Sequence, residues 1–362
     1  MKKYNPVRSF MWVAALAALT ISGCNTNSDD APTGEYAQDA VLISNEGAFN
    51  KSNASVSYYN RSTGQVQNEI YSAANPSQVL GDVLQSINLH NDKAYLVMNN
   101  SKKITVVNAS TFKAEGEING LDAPRYFAAL NNEKGYVTEW LAYDPNTYQY
   151  GKGRVSVIDL KTYTVLKTIE VGVQPEQLVI TGGKVYVANV GENAVTVINT
   201  ITDAVEKNII VTQSPNSLAL DQNSNLWVIS TGQKDWQLDP SNYTPGALTK
   251  INTGSNTVEA TLPFSSKTAF ASKLATNGAK NKLYFEYDNK VYQQDINATT
   301  LSTTPVINRS FSSLGIDPVN NYIYAGVAPG YTSNGWVVRF NPTGAALDSF
   351  RVGIAPNGFI FR

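Results

Sequence analysis

The chain has 362 residues, of which 16% are charged and 42% hydrophobic, with a formal net charge of -1. That length suits a large all-β architecture whose core needs no disulfide or metal staple, and the charge offers no basic surface for nucleic acid. One cysteine and one histidine in the whole chain exclude structural zinc, Cys/His nucleophiles and His-based triads.

The chain opens with the basic segment MKKYNPVRSF, followed by MWVAALAALTISGC, an apolar run that ends in small residues. This order predicts a signal peptide over residues 1–23, too short for a comfortable membrane span. Ile21-Ser22-Gly23-Cys24 resembles a bacterial lipobox, which implies cleavage before Cys24 and lipidation of the only thiol. Several acyl chains on one residue give stable membrane attachment where a single chain is marginal. Loss of residues 1–23 removes Lys2, Lys3 and Arg8 and takes the formal charge from -1 to -4. Residues 24–39 then read as the lipidated cysteine and a polar, flexible tether. Within it, Asp29-Asp30 resembles the short signal with which some Gram-negative bacteria place lipoproteins on the outer face of the outer membrane.

From residue 40 onward one pattern recurs. Its first copy is "AVLISNEGAFNKSNASVSYYNRSTGQVQNEIY" (40–71) and its second "KAYLVMNNSKKITVVNASTFKAEGEI" (93–118). Further copies cover 134–171, 184–211, 225–262, 282–307 and 322–352. In the fourth, "VYVANVGENAVTVIN", two β-branched and aromatic runs flank a Gly/Asn break, the mark of a hairpin. All copies but the first are preceded by a short apolar run: "LQSINLH", "PRYFAAL", "PEQLVI", "PNSLAL", "SKLATNG" and "FSSLGID". Each unit therefore has four strands, and its Asp/Asn-x-x-Thr segment supplies a turn through side chain to backbone bonds. Four strands in roughly 40 residues is a β-propeller blade. The chain ends in "APNGFIFR", which supplies the inner strand that the first copy lacks. The expected fold is all-β: a seven-bladed propeller over 40–362, closed by residues 356–361 joining the N-terminal blade. Tyr95, Tyr136, Tyr186, Trp227, Tyr284 and Tyr324 recur at one strand position and are expected to pack between blades.

Strands alternate direction along a blade, so loops between second and third strands share one face with the openings of the inner strands. Three of these loops are swollen: 139–153, 230–246 and 328–335, the last followed by Trp336. They carry Trp140, Tyr143, Tyr148, Tyr150, Trp236, Tyr243 and Tyr331. Aromatics on one face offer wide contact area at low entropic cost, which points to ligand binding on a broad surface. Gln85, Arg125 with Tyr126, Glu176, Asn216 and Asn357 add polar groups at the inner-strand openings, and Asn45, Glu46 and Phe49 belong to the matching loop of the first blade. The predicted ligand-binding set is Arg125, Tyr126, Trp140, Tyr143, Tyr148, Glu176, Asn216, Trp236, Tyr243, Tyr331 and Trp336. His90 is read as an exposed turn residue on the opposite face, and no metal site or resident cofactor is expected.

"YVANVGENAVTVIN" resembles the repeat of YVTN-type β-propellers. "VLISNEGAFNKSNASVSYYN", "LGDVLQSINLHNDKAYLVMNNSKKITVVNASTF", "PRYFAAL" and "FRVGIAPNGFIFR" resemble the BtuG-type surface lipoproteins over essentially the whole mature chain. That resemblance implies a lipid-anchored outer-membrane protein that captures cobalamin or related corrinoids as transported ligand and hands them to a TonB-dependent transporter, without catalysis. Three other readings stay open: a siderophore-capturing lipoprotein, a protein-binding scaffold, and a propeller lactonase or glycosidase, which would need a carboxylate cage or pair.

Overall fold

In every repeat the third strand ends at an Asn or Asp whose side-chain oxygen accepts a hydrogen bond from the backbone N–H two residues on. These are Asn60, Asn108, Asp159, Asn199, Asn252, Asp295 and Asn341. The side chain thus bends the chain locally before any long-range contact forms. Between these turns β-branched and aromatic residues pair into antiparallel strands; Lys184–Asn189, for example, pairs in full register with Ala194–Asn199. The computed structural model describes residues 1, 34–234 and 239–362. The predicted signal peptide, Cys24 and Trp236 lie outside the described residues.

Among the described residues the strands form seven four-stranded sheets and one two-stranded ribbon. Six sheets use consecutive segments, with inner strands Leu84–His90, Ala123–Ala129, Pro175–Thr181, Pro215–Leu220, Ala271–Thr276 and Ser313–Ile316. The first blade takes its inner strand from the far end of the chain: Pro356–Phe361 pairs antiparallel with Ala40–Asn45. The result is the expected seven-bladed β-propeller with terminal closure. The ribbon, Tyr143–Asp144 with Gln149–Tyr150, is a projection of the third blade.

Seven apolar clusters fill the seams between consecutive blades. The recurring aromatics sit in these seams: Tyr95, Tyr136, Tyr186, Trp227, Tyr284 and Tyr324 are each at most 2% exposed. Several reach the next blade directly. Tyr95 stacks on Phe127 at 4.3 Å, the Tyr136 hydroxyl donates to Asp203 at 2.6 Å, and the Tyr186 hydroxyl donates to the Thr253 carbonyl at 3.0 Å. Close approach also fixes glycines here. A Cβ on Gly172 would lie 2.6 Å from Asn189 Cγ, and one on Gly353 would lie 2.8 Å from Asn45 Cγ. Asn45 is itself fully buried and donates to Ser55 and Ser57, so it braces its blade and is not a surface group.

Packing begins ahead of residue 40. Tyr36, in the segment read as tether, is 4% exposed and meets Tyr58 and Phe112 edge-on at 5.0 and 5.7 Å. This contact lies at the seam of the first two blades, beside the turn after Asn108, on the face opposite the inner-strand openings. The C-terminal residue also reaches this region, where the Arg362 guanidinium donates to the Tyr36 carbonyl at 3.4 Å. Arg61 pairs with Asp317 of the seventh blade at 2.9 Å and also donates to the Arg362 carbonyl. Asp317 is fully buried and the Arg61 side chain is 11% exposed. Asp317→Ala would remove the buried carboxylate from that guanidinium, leaving it the Arg362 carbonyl and the more distant Asp39 at 3.9 Å, and is expected to cost about 2 kcal/mol, read from the midpoint of chemical denaturation. A loss below about 1 kcal/mol, the scale of an exposed pair, would show that the ring does not depend on this lock.

Candidate functional site

The inner strands open on one face of the ring, and the chain makes a tight reversal to enter several of them. Val83, Gln174, Ser214 and Ala355 adopt left-handed backbone (φ 61, 53, 59 and 53°), and the last three precede Pro175, Pro215 and Pro356. Proline disfavours the right-handed helical region in the residue before it, and Gln174, Ser214 and Ala355 take the left-handed one instead, which turns the chain into the inner strand. The side chain after each proline then stands at the rim of the axial channel.

A belt of cross-blade bonds runs round this rim. The Asn357 amide donates to the Leu84 carbonyl at 2.8 Å, and the Ser86 hydroxyl to the Arg125 carbonyl at 2.8 Å. Arg125 grips Glu176 through two bonds of 2.8 and 2.6 Å. The Leu218 N–H donates to Gln177 at 2.9 Å, and the Asn216 amide to the Ala271 carbonyl at 3.0 Å. Phe311 N–H donates to Glu286 at 3.1 Å, and Ser312 and Ser313 both donate to the Pro356 carbonyl, closing the circuit.

The channel inside this belt has a volume of about 590 Å³ and is lined by the inner strands of all seven blades. Its mouth is polar but electrically balanced. Arg125 and Glu176 satisfy each other, and Lys273 faces Glu286 at 3.4 Å. Burial works to lower the Arg125 pKa, but the bonded Glu176 carboxylate outweighs it, and the net shift is upward. The Arg125 guanidinium lies 4.2 Å from the Trp140 ring centroid, and the Trp140 N–H donates to the Pro175 carbonyl at 3.1 Å. Trp140 is therefore a fixed wall of the mouth. Burial pushes the Tyr126 phenol up to about 12, opposed by side-chain hydrogen bonds with Gln177 and Gln85. The phenol is thus neutral at physiological pH. Glu46 is also raised by burial, with Arg125 pulling the other way, and its charge in turn raises Tyr331.

Of the predicted residues, Arg125, Tyr126, Trp140, Glu176 and Asn216 meet at the channel. Tyr143 lines a neighbouring hollow of about 540 Å³ together with Trp140 and Tyr150. Tyr148 is 55% exposed in the turn of the ribbon, Tyr243 follows the short helical turn Pro240–Asn242, and Tyr331 is 57% exposed on the loop of the seventh blade. These three share the mouth face without lining the channel. Trp336 stands on the third strand of its blade, opposite Arg351 of the outer strand, and is 43% exposed, so its strand places it away from the axis. Lys273, Gln177, Ser312 and Ser313 also line the channel, and nothing in the loop pattern singled them out. Gln177 directly follows the predicted Glu176, whereas Lys273, Ser312 and Ser313 lie in the two blades whose inner-strand openings carry no predicted residue.

Residues 39–354 match the family described as Domain of unknown function (DUF5074). No curated protein matches the chain. Among solved structures it is similar to a quinonprotein alcohol dehydrogenase-like protein from Bacteroides thetaiotaomicron, with TM-score 0.66 and 16% identity over 89% of this chain and 78% of that one. It is also similar to a periplasmic gluconolactonase of Pseudomonas aeruginosa (TM-score 0.65, 12% identity, 89% and 98% covered). Hydrazine synthase of Kuenenia stuttgartiensis gives 0.63 at 16% identity with the same coverage, 89% and 98%. At these identities the likeness is one of fold, and propellers with enzymatic names are among the neighbours.

The raised Glu46 has a consequence for stability. As pH climbs past the ordinary carboxyl value of 4.5, the unfolded chain ionises this group first, so folding stability falls until Glu46 itself ionises. Glu46→Gln is expected to raise the thermal unfolding midpoint at neutral pH and leave it unchanged well below pH 4.5. A lowered midpoint at neutral pH would instead make the Glu46 charge a stabilising contact.

Proposed function

The chain belongs to the DUF5074 family, and we propose that it is a non-catalytic capture protein for cobalamin or a related corrinoid, lipid-anchored at Cys24 on the outer membrane, that passes its ligand to a TonB-dependent transporter. One observation carries this reading. The mouth presents amides and hydroxyls (Gln85, Gln177, Ser272, Ser312), the neutral Tyr126 phenol and the fixed Trp140 wall, while its cations are already bound to carboxylates. Such a surface suits a bulky, amphipathic ligand edged with amides. An anionic ferric chelate would instead have to break the Arg125–Glu176 or Lys273–Glu286 pair, at the cost of leaving a half-buried carboxylate unmatched. In this reading the ligand rests across the mouth and contacts the aromatic loops from outside. His90 ends its inner strand at the far side of the ring, bonded to Asn132 at 2.9 Å, so a bound corrinoid keeps its own cobalt ligands.

Glu46 favours a second reading. A carboxyl with a raised pKa at the edge of a channel fits a general acid in a hydrolytic propeller. Turnover of a lactone that is abolished by Glu46→Gln would replace capture by catalysis.

Calorimetric titration of the full chain with cyanocobalamin tests the first reading. Saturable one-to-one binding is expected, weakened about tenfold or more, roughly 1.4 kcal/mol, by Trp140→Ala. No corrinoid binding, or preferred binding of a ferric siderophore, would overturn it.

A further inference from the structure

Beside the channel, between the second and third blades, lies the hollow of about 540 Å³. Its size falls within the usual range of small-molecule sites. One wall is aromatic. Tyr143 and Tyr150 are a cross-strand pair of the ribbon, which places both phenols on the same side of it, at 5.1 Å between centroids. Tyr150 in turn meets Trp140 edge-on at 5.3 Å. The indole is held by Pro175 behind it and Arg125 across it, so the wall is rigid before any ligand arrives. The opposite lip is polar. Lys102 and Asp122 pair at 2.8 Å with side chains 62% and 41% exposed, a weak contact that a ligand hydroxyl can share. Asn99, whose amide donates to the Pro124 carbonyl at 3.1 Å, also lines the hollow.

Aromatics that served only to pin the ribbon would bury one another, yet Tyr143 stays 44% exposed and the hollow stays open. An aromatic wall facing a polar, hydroxyl-matching lip is the chemistry of a sugar ring, with its C–H face against the exposed Tyr143 ring and its hydroxyls on the lip. We propose that this hollow, which shares Trp140 and Arg125 with the corrinoid-binding mouth, is a saccharide site that takes one or two rings of a neutral oligosaccharide. Asp122 at the lip disfavours an acidic sugar, whose carboxylate would lie beside it.

The test titrates the full chain with maltotriose, cellotriose, mannotriose and galactotriose, with adenosine as a flat aromatic comparator, by calorimetry and tryptophan fluorescence. At least one trisaccharide is expected to bind saturably. Tyr143→Ala and Asp122→Asn should each weaken it about tenfold without moving the thermal midpoint. Val319→Ala, on the opposite face and 74% exposed, should leave it unchanged. A glycoprotein carrying the bound sugar, compared with its deglycosylated form, separates a free oligosaccharide from a surface glycan as the source. Absence of saturable binding by all four sugars, binding that survives both substitutions, or adenosine binding in place of sugar would overturn the proposal. The sugar and cyanocobalamin titrations are read separately on the unsubstituted chain, so either reading can fail while the other stands.

Discussion

A ring of sheets has one weak point, the place where the chain must meet itself. Here that place is the antiparallel pairing of Val41–Asn45 with Pro356–Phe361, two segments from opposite ends of the sequence. Without it the first blade would lose its inner strand and the channel one of its seven walls. Two exposed sheet edges would also remain, each a template for wrong pairing. The surroundings reinforce this joint. The Arg61–Asp317 pair ties the first blade to the seventh beneath it, Phe361 packs against Tyr324 at 5.3 Å, and Asn357 reaches forward to the second blade. A contact between chain ends carries a large loop-closure cost during folding, so the seam holds apolar packing, ladder bonds and a buried ion pair together.

The mouth is a product of the same requirement. Each blade must grip the next, and near the axis there is little room for apolar side chains, so the grip is made by polar groups. Arg125, Glu176, Asn216 and Asn357 therefore serve two ends: they hold neighbouring blades and they set the character of the opening. Because these groups are spent on one another, the mouth is rigid and nearly neutral. The loops that rise from it are free to vary, since the third blade can carry a ribbon at Tyr143–Tyr150 without disturbing the belt. Rigid ground and variable loops make a surface on which ligand preference can change while the ring stays the same.

The architecture was legible because its determinants are local and repeated. The recurring aromatic at Tyr95, Tyr136, Tyr186, Trp227, Tyr284 and Tyr324, the Asn or Asp turn after each third strand, and the orphan "PNGFIF" at the end all carry information within a few residues. The site was legible in part. The inner-strand openings place Arg125, Tyr126, Glu176 and Asn216 on the mouth face, since strand alternation fixes which end faces the mouth, and all four line the channel. The alternation could not show that their side chains already had partners, because those partners come from the next blade. Nor does strand direction give distance from the axis, which is why Trp336 grouped with Trp140 in the sequence and stands apart from it in space. Lys273 was hidden for a different reason: its left-handed backbone, φ 60°, turns it into the channel against the alternation of its strand. The hollow beside Trp140 joins three separate segments, around Asn99, Asp122 and Tyr150, and no linear pattern links them.

The closed ring is tested most directly by hydrogen–deuterium exchange of the last strand. If residues 356–361 complete the first blade, their amides exchange as slowly as those of the inner strands Leu84–His90 and Pro175–Thr181, through the global unfolding event. Exchange at the rate of a frayed terminus, with the other inner strands still protected, would mean that the ring is open and that the mouth described here does not exist as a single surface.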